Sequence, residues 1–378
     1  MNMKTVNGIY TSATIYTTNT LNTAVDDYAV KQLRMLCDFD AMSGCKIRVM
    51  PDVHPGKVGT IGFTSTIGDK IMPSLIGIDI GCGMTLAHIK AKRIDCQKLD
   101  TVIRDNVPSG FGIRRKLHHL ADSFDLSRSQ CFKHIRSEKA LLSLGSLVSG
   151  NHFIEVDKDS DGNYFVIIHT GSRHLGKEVT EHYLNKGQKA LKTRNLFAPY
   201  ELTWLDGELK EAYLHDLQVV QEFSELNRAV ILSELEKGMK WKIFDTYSCQ
   251  HNYVDTDEIP ILRKGAISAH KGERVIIPIN MRDGVILGTG LGNEDWNCSA
   301  PHGSGRIMKR EAVEETFTVS SFKNAMKGIY CSCIGKDTLD EAPFAYRGLE
   351  EIAEVIKGTV MIDKIIRPVY NFKAGGED

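Results

Sequence analysis

The chain has 378 residues, of which 25% are charged and 42% hydrophobic, and its formal net charge is -1. That length supports one large or two ordinary domains around a sizeable core. A balance so close to neutral excludes an overall basic field, leaving only a local patch to hold a polyanion.

The nine cysteines are odd in number and widely scattered, at positions 37, 45, 82, 96, 131, 249, 298, 331 and 333. The opening "MNMKTVNGIYTSATIY" lacks the apolar region of a signal peptide, and no apolar run approaches the length of a membrane span. The expectation is a cytoplasmic protein with free thiols, in which a cysteine within a glycine turn is a ligand or nucleophile before it is a disulfide partner.

In chain order, the first predicted helix runs from about Ala24 to Cys37, followed by short strands over Lys46–His54 and Gly59–Asp69. "PSLIGIDIGCGMTLAHI" (Pro73–Ile89) reads as the start of a buried strand, interrupted by Asp79 and by Cys82 between two glycines. A helix is expected over Lys133–Leu144, a buried strand over Tyr164–Ser172, and a helix from Gly176 to about Leu191. The longest periodic element spans Glu208 to Lys237, with Val219, Phe223, Leu226 and Val230 as an apolar stripe that reads as packing. "ERVIIPIN", "GVILGTG" and "VMIDKIIRPVYNF" are strand-like, and Gly348–Gly358 is helical between its glycines. No regular βαβ rhythm, repeat or linker is visible. The pattern predicts an α+β fold, with mixed sheets and surrounding helices, as one catalytic domain over 1–378.

In "DIGC" the intervening glycine lets Asp79 and Cys82 face one point, which is the start of a metal site. A buried thiol beside an Asp that caps a turn accounts for the motif equally well. "SGNHFIEV", "IIHTGSR" and "YSCQHNYV" then place His152, His169 and His251 at the polar ends of apolar segments. A lone histidine in such a place is usually a hydrogen-bonded core residue, but three shift the balance toward ligands. Imidazole, carboxylate and thiolate together suit Mn, Zn or Fe.

"CSAPHGSGRIMKR" holds His302 in a turn where Gly303, Ser304 and Gly305 could offer N–H groups to an anion, with Arg306 as a charged clamp. A helix starting at about Arg306 would add its positive end, and a histidine in a phosphate cradle is a candidate nucleophile. Taken alone, this segment is more economically an idle surface turn. The basic clusters "GIRRKLHH", "FKHIRSEK" and "RKGAISAHKGER" read as solvated faces, although an RNA backbone could use one. "GTGLGN" lacks the end of a P-loop, and Cys331 with Cys333 has no second pair for a zinc knuckle.

Assembled in order, "MPDVHPGKVGTIG", "IGIDIGCGM", "SGNHFIE", "HTGSR", "QHN", "RKGA", "HGSGR", "DEAPFAYR" and a lysine near the end resemble the RtcB family of RNA-splicing ligases nearly end to end. The resemblance implies an RtcB-type catalytic domain that uses GTP and two Mn²⁺ ions. Such a domain joins RNA ends bearing a 2′,3′-cyclic phosphate or 3′-phosphate to 5′-hydroxyl ends. By motif match, Asp79, Cys82 and His152 hold one manganese, and Cys82 bridges to a second held by His169 and His251. His302 becomes guanylylated. Nucleotide contacts are implied for Asn151, His152, Phe153, Ile154 and Glu155, for His251 with Asn252, for Pro278, Ile279, Asn280, Met281 and Val285, for His302, Gly303, Ser304 and Gly305, and for Lys373.

The chain departs from the family pattern in "PINM", with Val285 where a serine is usual, and in His174 and Val148. These changes bear on the nucleotide pocket and RNA choice more than on the metal ligands, and they suggest RNA repair in preference to tRNA splicing. An activating protein assists some relatives. Two rivals remain: a metal-dependent RNA cyclic phosphodiesterase or end-processing enzyme that does not ligate, and an RNA-binding protein without catalysis.

Overall fold

The computed structural model describes residues 2–17, 25–148, 150–256 and 259–374. Its described residues form three sheets, one of six strands, one of two and one of seven, with helices packed around them. This is a mixed α+β fold. In the six-stranded sheet, Ser12–Thr17 runs parallel to Ile47–Pro55 and the other neighbours are antiparallel. The seven-stranded sheet is antiparallel throughout, in the order Arg274–Asn280, Gly284–Gly290, Val360–Lys373, Phe153–Lys158, Tyr164–Thr170, Gly83–Lys90, Lys242–Gln250. Tyr164–Thr170 is buried at every position, which is why it reads as a continuous apolar run without alternation.

The long helix is Gly207–Met239, close to the span its periodicity predicts. Val219, Phe223 and Val230 are buried in the core, and Leu226 packs against it half-buried. The same helix also buries Ser224, Asn227 and Arg228, none of which belongs to the apolar stripe. Their hydrogen bonds go to the loops that carry the metal ligands, so this helix positions chemistry as well as packing the core. No helix of the described residues is long and apolar enough to cross a membrane.

Several predicted elements are redrawn by tertiary contacts. The first helix is Asp27–Cys37, with the Asp26 side chain accepting the Tyr28 N–H; residue 24, where it was expected to begin, lies outside the described residues. The helix expected over Lys133–Leu144 is a 3₁₀ turn, Phe132–His134, and a short helix, Ser137–Leu142. Arg136 separates them because Glu178 captures both its N–H (2.9 Å) and its guanidinium (2.5 Å), holding it outside the helical region. In Pro73–Ile89 the strand starts only at Gly83; Pro73–Leu75 is a 3₁₀ turn, and Ile78, which reads as buried, is 54% exposed.

No helix starts at Arg306. The helix there is Arg310–Thr316, and Arg306 instead pairs with Tyr346 in an isolated bridge while its guanidinium meets Glu341 at 3.1 Å. The buried carboxylate holds this arginine in an extended segment, so the turn around His302 has no helix N-terminus beneath it.

Candidate metal centre and nucleotide pocket

Asp79 and Cys82 lie in the turn before strand Gly83–Lys90, and His152 precedes strand Phe153–Lys158. His169 is near the end of strand Tyr164–Thr170, and His251 follows Lys242–Gln250. Because these strands are sheet neighbours, their ends meet, and five residues distant in sequence converge.

Cys82 Sγ lies 3.2 Å from His152 Nε2 and 3.4 Å from His169 Nε2. His152 Nε2 is 3.2 Å from Asp79 Oδ2, and His169 Nε2 is 3.5 Å from His251 Nε2. Cys82, His152 and His169 bring one donor atom each within 4.8 Å of one another, all buried.

The donor set fits a divalent cation. His169 Nδ1 stands 3.2 Å from the Asn151 carbonyl, so its N–H donates there and the Nε2 lone pair turns toward Cys82 and His251. Burial, then the neighbouring imidazoles, push His169 well below the ordinary histidine range; burial and His302 do the same to His251. Both rings are therefore neutral near pH 7 and offer lone pairs. Burial works against ionisation of Asp79, but bonds from His152 and Cys82 and the Ser172 N–H outweigh it and hold the carboxyl below its usual range. Burial and the Asp79 charge push the Cys82 thiol well up, a cost that a bound cation would reverse.

The turn is braced from the long helix. Arg228 Nη1 donates to Gly81 O at 3.0 Å and to Thr170 O at 2.9 Å, Ser224 donates to Ile80 O, and Asn227 Nδ2 donates to Gly171 O. Gly81 has a φ of +69°, and a Cβ there would meet Ser224 Oγ at 2.6 Å, so only glycine lets helix and turn approach this closely. Asn252 is a further brace: its Nδ2 donates to Asp79 O, and its Oδ1 accepts the Gly265 N–H.

His302 joins the centre from another sheet. Its ring stands edge-on to His251, with centroids 4.7 Å apart, and its Nδ1 bonds Asp52 Oδ2 at 2.7 Å. An ionised carboxylate can only accept, so Nδ1 carries the proton and Nε2 the lone pair. Asp52 is fully buried beneath the ring.

Beside His302 a single pocket is lined by Asn151, Phe153 and Glu155, by Pro278 to Met281, by His302 to Gly305, and by Lys373. His152 and His251 lie in the metal centre at its edge. Ile154 and Val285 do not line it: Ile154 packs in the core on the other face of its strand, and Val285 sits in an apolar cluster with Ile276 and Ile366. Ser304 turns its hydroxyl to Ile279 O at 2.6 Å, tying the His302 turn to the "PINM" loop.

Some lining residues have no counterpart among the sequence candidates: His54, Arg310, Glu341, Tyr346 and Asn371. Burial opposes ionisation of Glu341, but Lys373 at 3.0 Å, with Arg310 and Arg306, brings it down to about 2. Arg306, expected as a charged clamp for an anion, is engaged by this carboxylate at 3.1 Å. Deeper in, burial pushes Glu155 up to about 7, and burial with the Glu155 charge pushes Asp157 well up. The signal for His54, Glu341 and Tyr346 lay in "MPDVHPG" and "DEAPFAYR", each with an acid set among apolar residues.

A family model for the tRNA-splicing ligase RtcB matches residues 35–374. The chain belongs to the RtcB family. It is similar to the RNA-splicing ligase RtcB1 of Escherichia coli, 29% identical over 367 residues covering 86% of this chain and 90% of the relative. RNA-splicing ligase RtcB2 of Escherichia coli is 26% identical, with 93% of each chain covered. The tRNA-splicing ligase RtcB of Aeropyrum pernix is 26% identical, with 81% of this chain and 83% of the relative covered. The protein is thus an enzyme of the RtcB RNA-ligase family, and its buried Cys82, His152 and His169 cluster suits the metal such chemistry would use.

Proposed function

We propose that the protein is a GTP- and Mn²⁺-dependent RNA ligase joining 2′,3′-cyclic phosphate or 3′-phosphate ends to 5′-hydroxyl ends through a guanylylated His302. The observation that carries this reading is the His302 ring itself, held through Nδ1 by buried Asp52 and opening onto the pocket beside His251.

Asp79, Cys82, His152, His169 and His251 would hold the cations. When bound, these neutralise phosphate charge and polarise the phosphorus under attack. His302 Nε2 attacks the α-phosphorus of GTP; a P–N bond forms and pyrophosphate leaves. Asp52 keeps the attacking lone pair on Nε2 and stabilises the positive charge that the ring acquires. An oxygen of the RNA 3′-phosphate then displaces the imidazole from phosphorus, giving an activated 3′ end. Attack by the 5′-hydroxyl forms the new phosphodiester and releases GMP. A cyclic phosphate is first hydrolysed to the 3′-phosphate.

In the pocket, Glu155 and Lys373 offer polar contacts to the base and Phe153 an apolar wall. The N–H groups of the Gly303–Gly305 turn, which lines the pocket, would meet the phosphates. Pro278 to Met281 form the wall beside that turn, tied to it through Ser304.

The test is incubation of the protein with Mn²⁺ and GTP labelled at the α-phosphate, followed by denaturation and a joining assay on cyclic-phosphate and 5′-hydroxyl RNA. A GMP adduct lost in His302→Ala, together with joined product, is expected. Hydrolysis of the cyclic phosphate with neither adduct nor joining would replace this reading with the end-processing one.

A further inference from the structure

The loop between Pro108 and His119 takes no part in the metal centre or the nucleotide pocket, yet it is fastened beside them at two points. Ser109 pairs with Leu147 in an isolated bridge a few residues before Asn151 and His152. Gly110 O accepts from Arg173 Nη2 at 2.5 Å, and Arg173 follows Ser172, whose N–H holds Asp79. Directly after these anchors Phe111 stands out from the surface, 80% exposed. Asp79 keeps 30% of its side-chain surface open, while the other metal-ligand candidates are buried.

The same loop lines a groove of about 580 Å³. Pro108 and Ile113 line it on either side of Phe111 in sequence, and Arg115, Lys116, His119 and Lys237 make its wall basic. The acids in that wall do not cancel this charge: Glu234 is already engaged by Arg114 at 3.1 Å, leaving Asp105 against Arg115, Lys116 and Lys237. In a chain of net charge -1, a basic groove lined by the loop that carries a projecting aromatic ring is a local exception. Aromatic faces that stack bases, beside cations that track phosphates, are how proteins hold single-stranded RNA.

We propose that Phe111 is a stacking platform for a base of the RNA strand whose end enters the metal centre, with Arg115 and Lys116 gripping its phosphates. The inference rests on RNA being the substrate, and its experiment separates it from the guanylylation reading.

Binding of a single-stranded oligoribonucleotide with a 3′-phosphate is measured on the full chain. Phe111→Ala weakens binding about tenfold, as loss of one stacked base does, while its melting temperature stays native because the side chain is exposed. Phe111→Trp keeps native affinity, and the emission added by the new indole is quenched as RNA saturates; Trp204, Trp241 and Trp296 are all buried and give a constant background. Arg115→Glu combined with Lys116→Glu weakens binding and lowers the salt slope by about 1.4, the value for two contacts to a single strand. GMP-adduct formation, which needs no RNA, is unchanged in all three variants.

Native affinity in Phe111→Ala, an unquenched Phe111→Trp at saturating RNA, or no RNA binding by the native chain would each overturn the platform. RNA binding with the expected quench but no GMP adduct in the native chain would instead overturn guanylylation and leave the platform standing.

Discussion

Asp52 and His302, 250 positions apart in sequence, are joined by a 2.7 Å hydrogen bond between a fully buried carboxylate and a ring that faces the nucleotide pocket. Asp52→Asn keeps the volume but offers an amide N–H where an acceptor is needed, which favours the tautomer with the proton on Nε2. The rate of GMP-adduct formation is expected to fall by roughly 10²–10⁴, in line with the loss of an orienting carboxylate from a catalytic histidine, while bound metal measured by elemental analysis stays native. An adduct formed at the native rate would remove Asp52 from the mechanism.

Of the four other candidate ligands, His152 Nε2 lies 3.2 Å and His169 Nε2 3.4 Å from Cys82 Sγ. Cys82→Ala should abolish tight binding of Mn²⁺ and of Co²⁺ as a spectroscopic stand-in, including the thiolate-to-cobalt absorption band. Titration by calorimetry and by absorbance reads this without reference to activity. Retention of the band would place the thiolate elsewhere.

Glu341 contributes to the acid limb of the stability profile. Its folded value, about 2, lies below the ordinary 4.5. It therefore contributes stability that is fully present above about pH 4.5 and lost as pH falls toward 2. Glu341→Gln should flatten melting temperature against pH in that window. Lys373→Met should destabilise by less than the ~3–5 kcal/mol that removing one partner of a buried ion pair costs, since Arg306 and Arg310 remain beside the carboxylate. An unchanged acid limb in Glu341→Gln would mean that other carboxylates set it.

Two glycines of the His302 turn make opposite predictions. Gly305 has a φ of +74°, and a Cβ there would come within 2.6 Å of Asp52 O and 2.5 Å of an Arg347 nitrogen. Gly305→Ala should cost at least the ~1–2 kcal/mol of a left-handed alanine and reduce adduct formation by pushing Asp52 away from His302. At Gly303 the nearest atom to a Cβ is Pro278 O at 3.4 Å, in ordinary contact. Gly303→Ala should melt at nearly the native temperature but raise the GTP concentration needed for half-maximal adduct formation. Equal melting temperatures for the two variants would contradict the geometry.

The sequence by itself determined the elements whose burial is continuous and the donor types that can hold a metal. Tyr164–Thr170 and Gly207–Met239 stand close to where their apolar patterns put them, because period and burial are local properties of a chain. The five metal-ligand candidates were visible for the same reason: each is a polar residue breaking an apolar run or sitting in its closing turn.

Tertiary structure alone decided which polar groups meet. Glu178 splits the helix expected over 133–144, and Glu341 draws Arg306 into a bridge where a helix start was expected. Asp52 was unremarked within "MPDVHPG", and Arg228 within a helix that reads as packing, until the fold set one under His302 and the other against the Cys82 turn. A buried charge must find its partner wherever the chain brings one, and a partner some 150 to 250 residues away leaves no trace in the residues beside it.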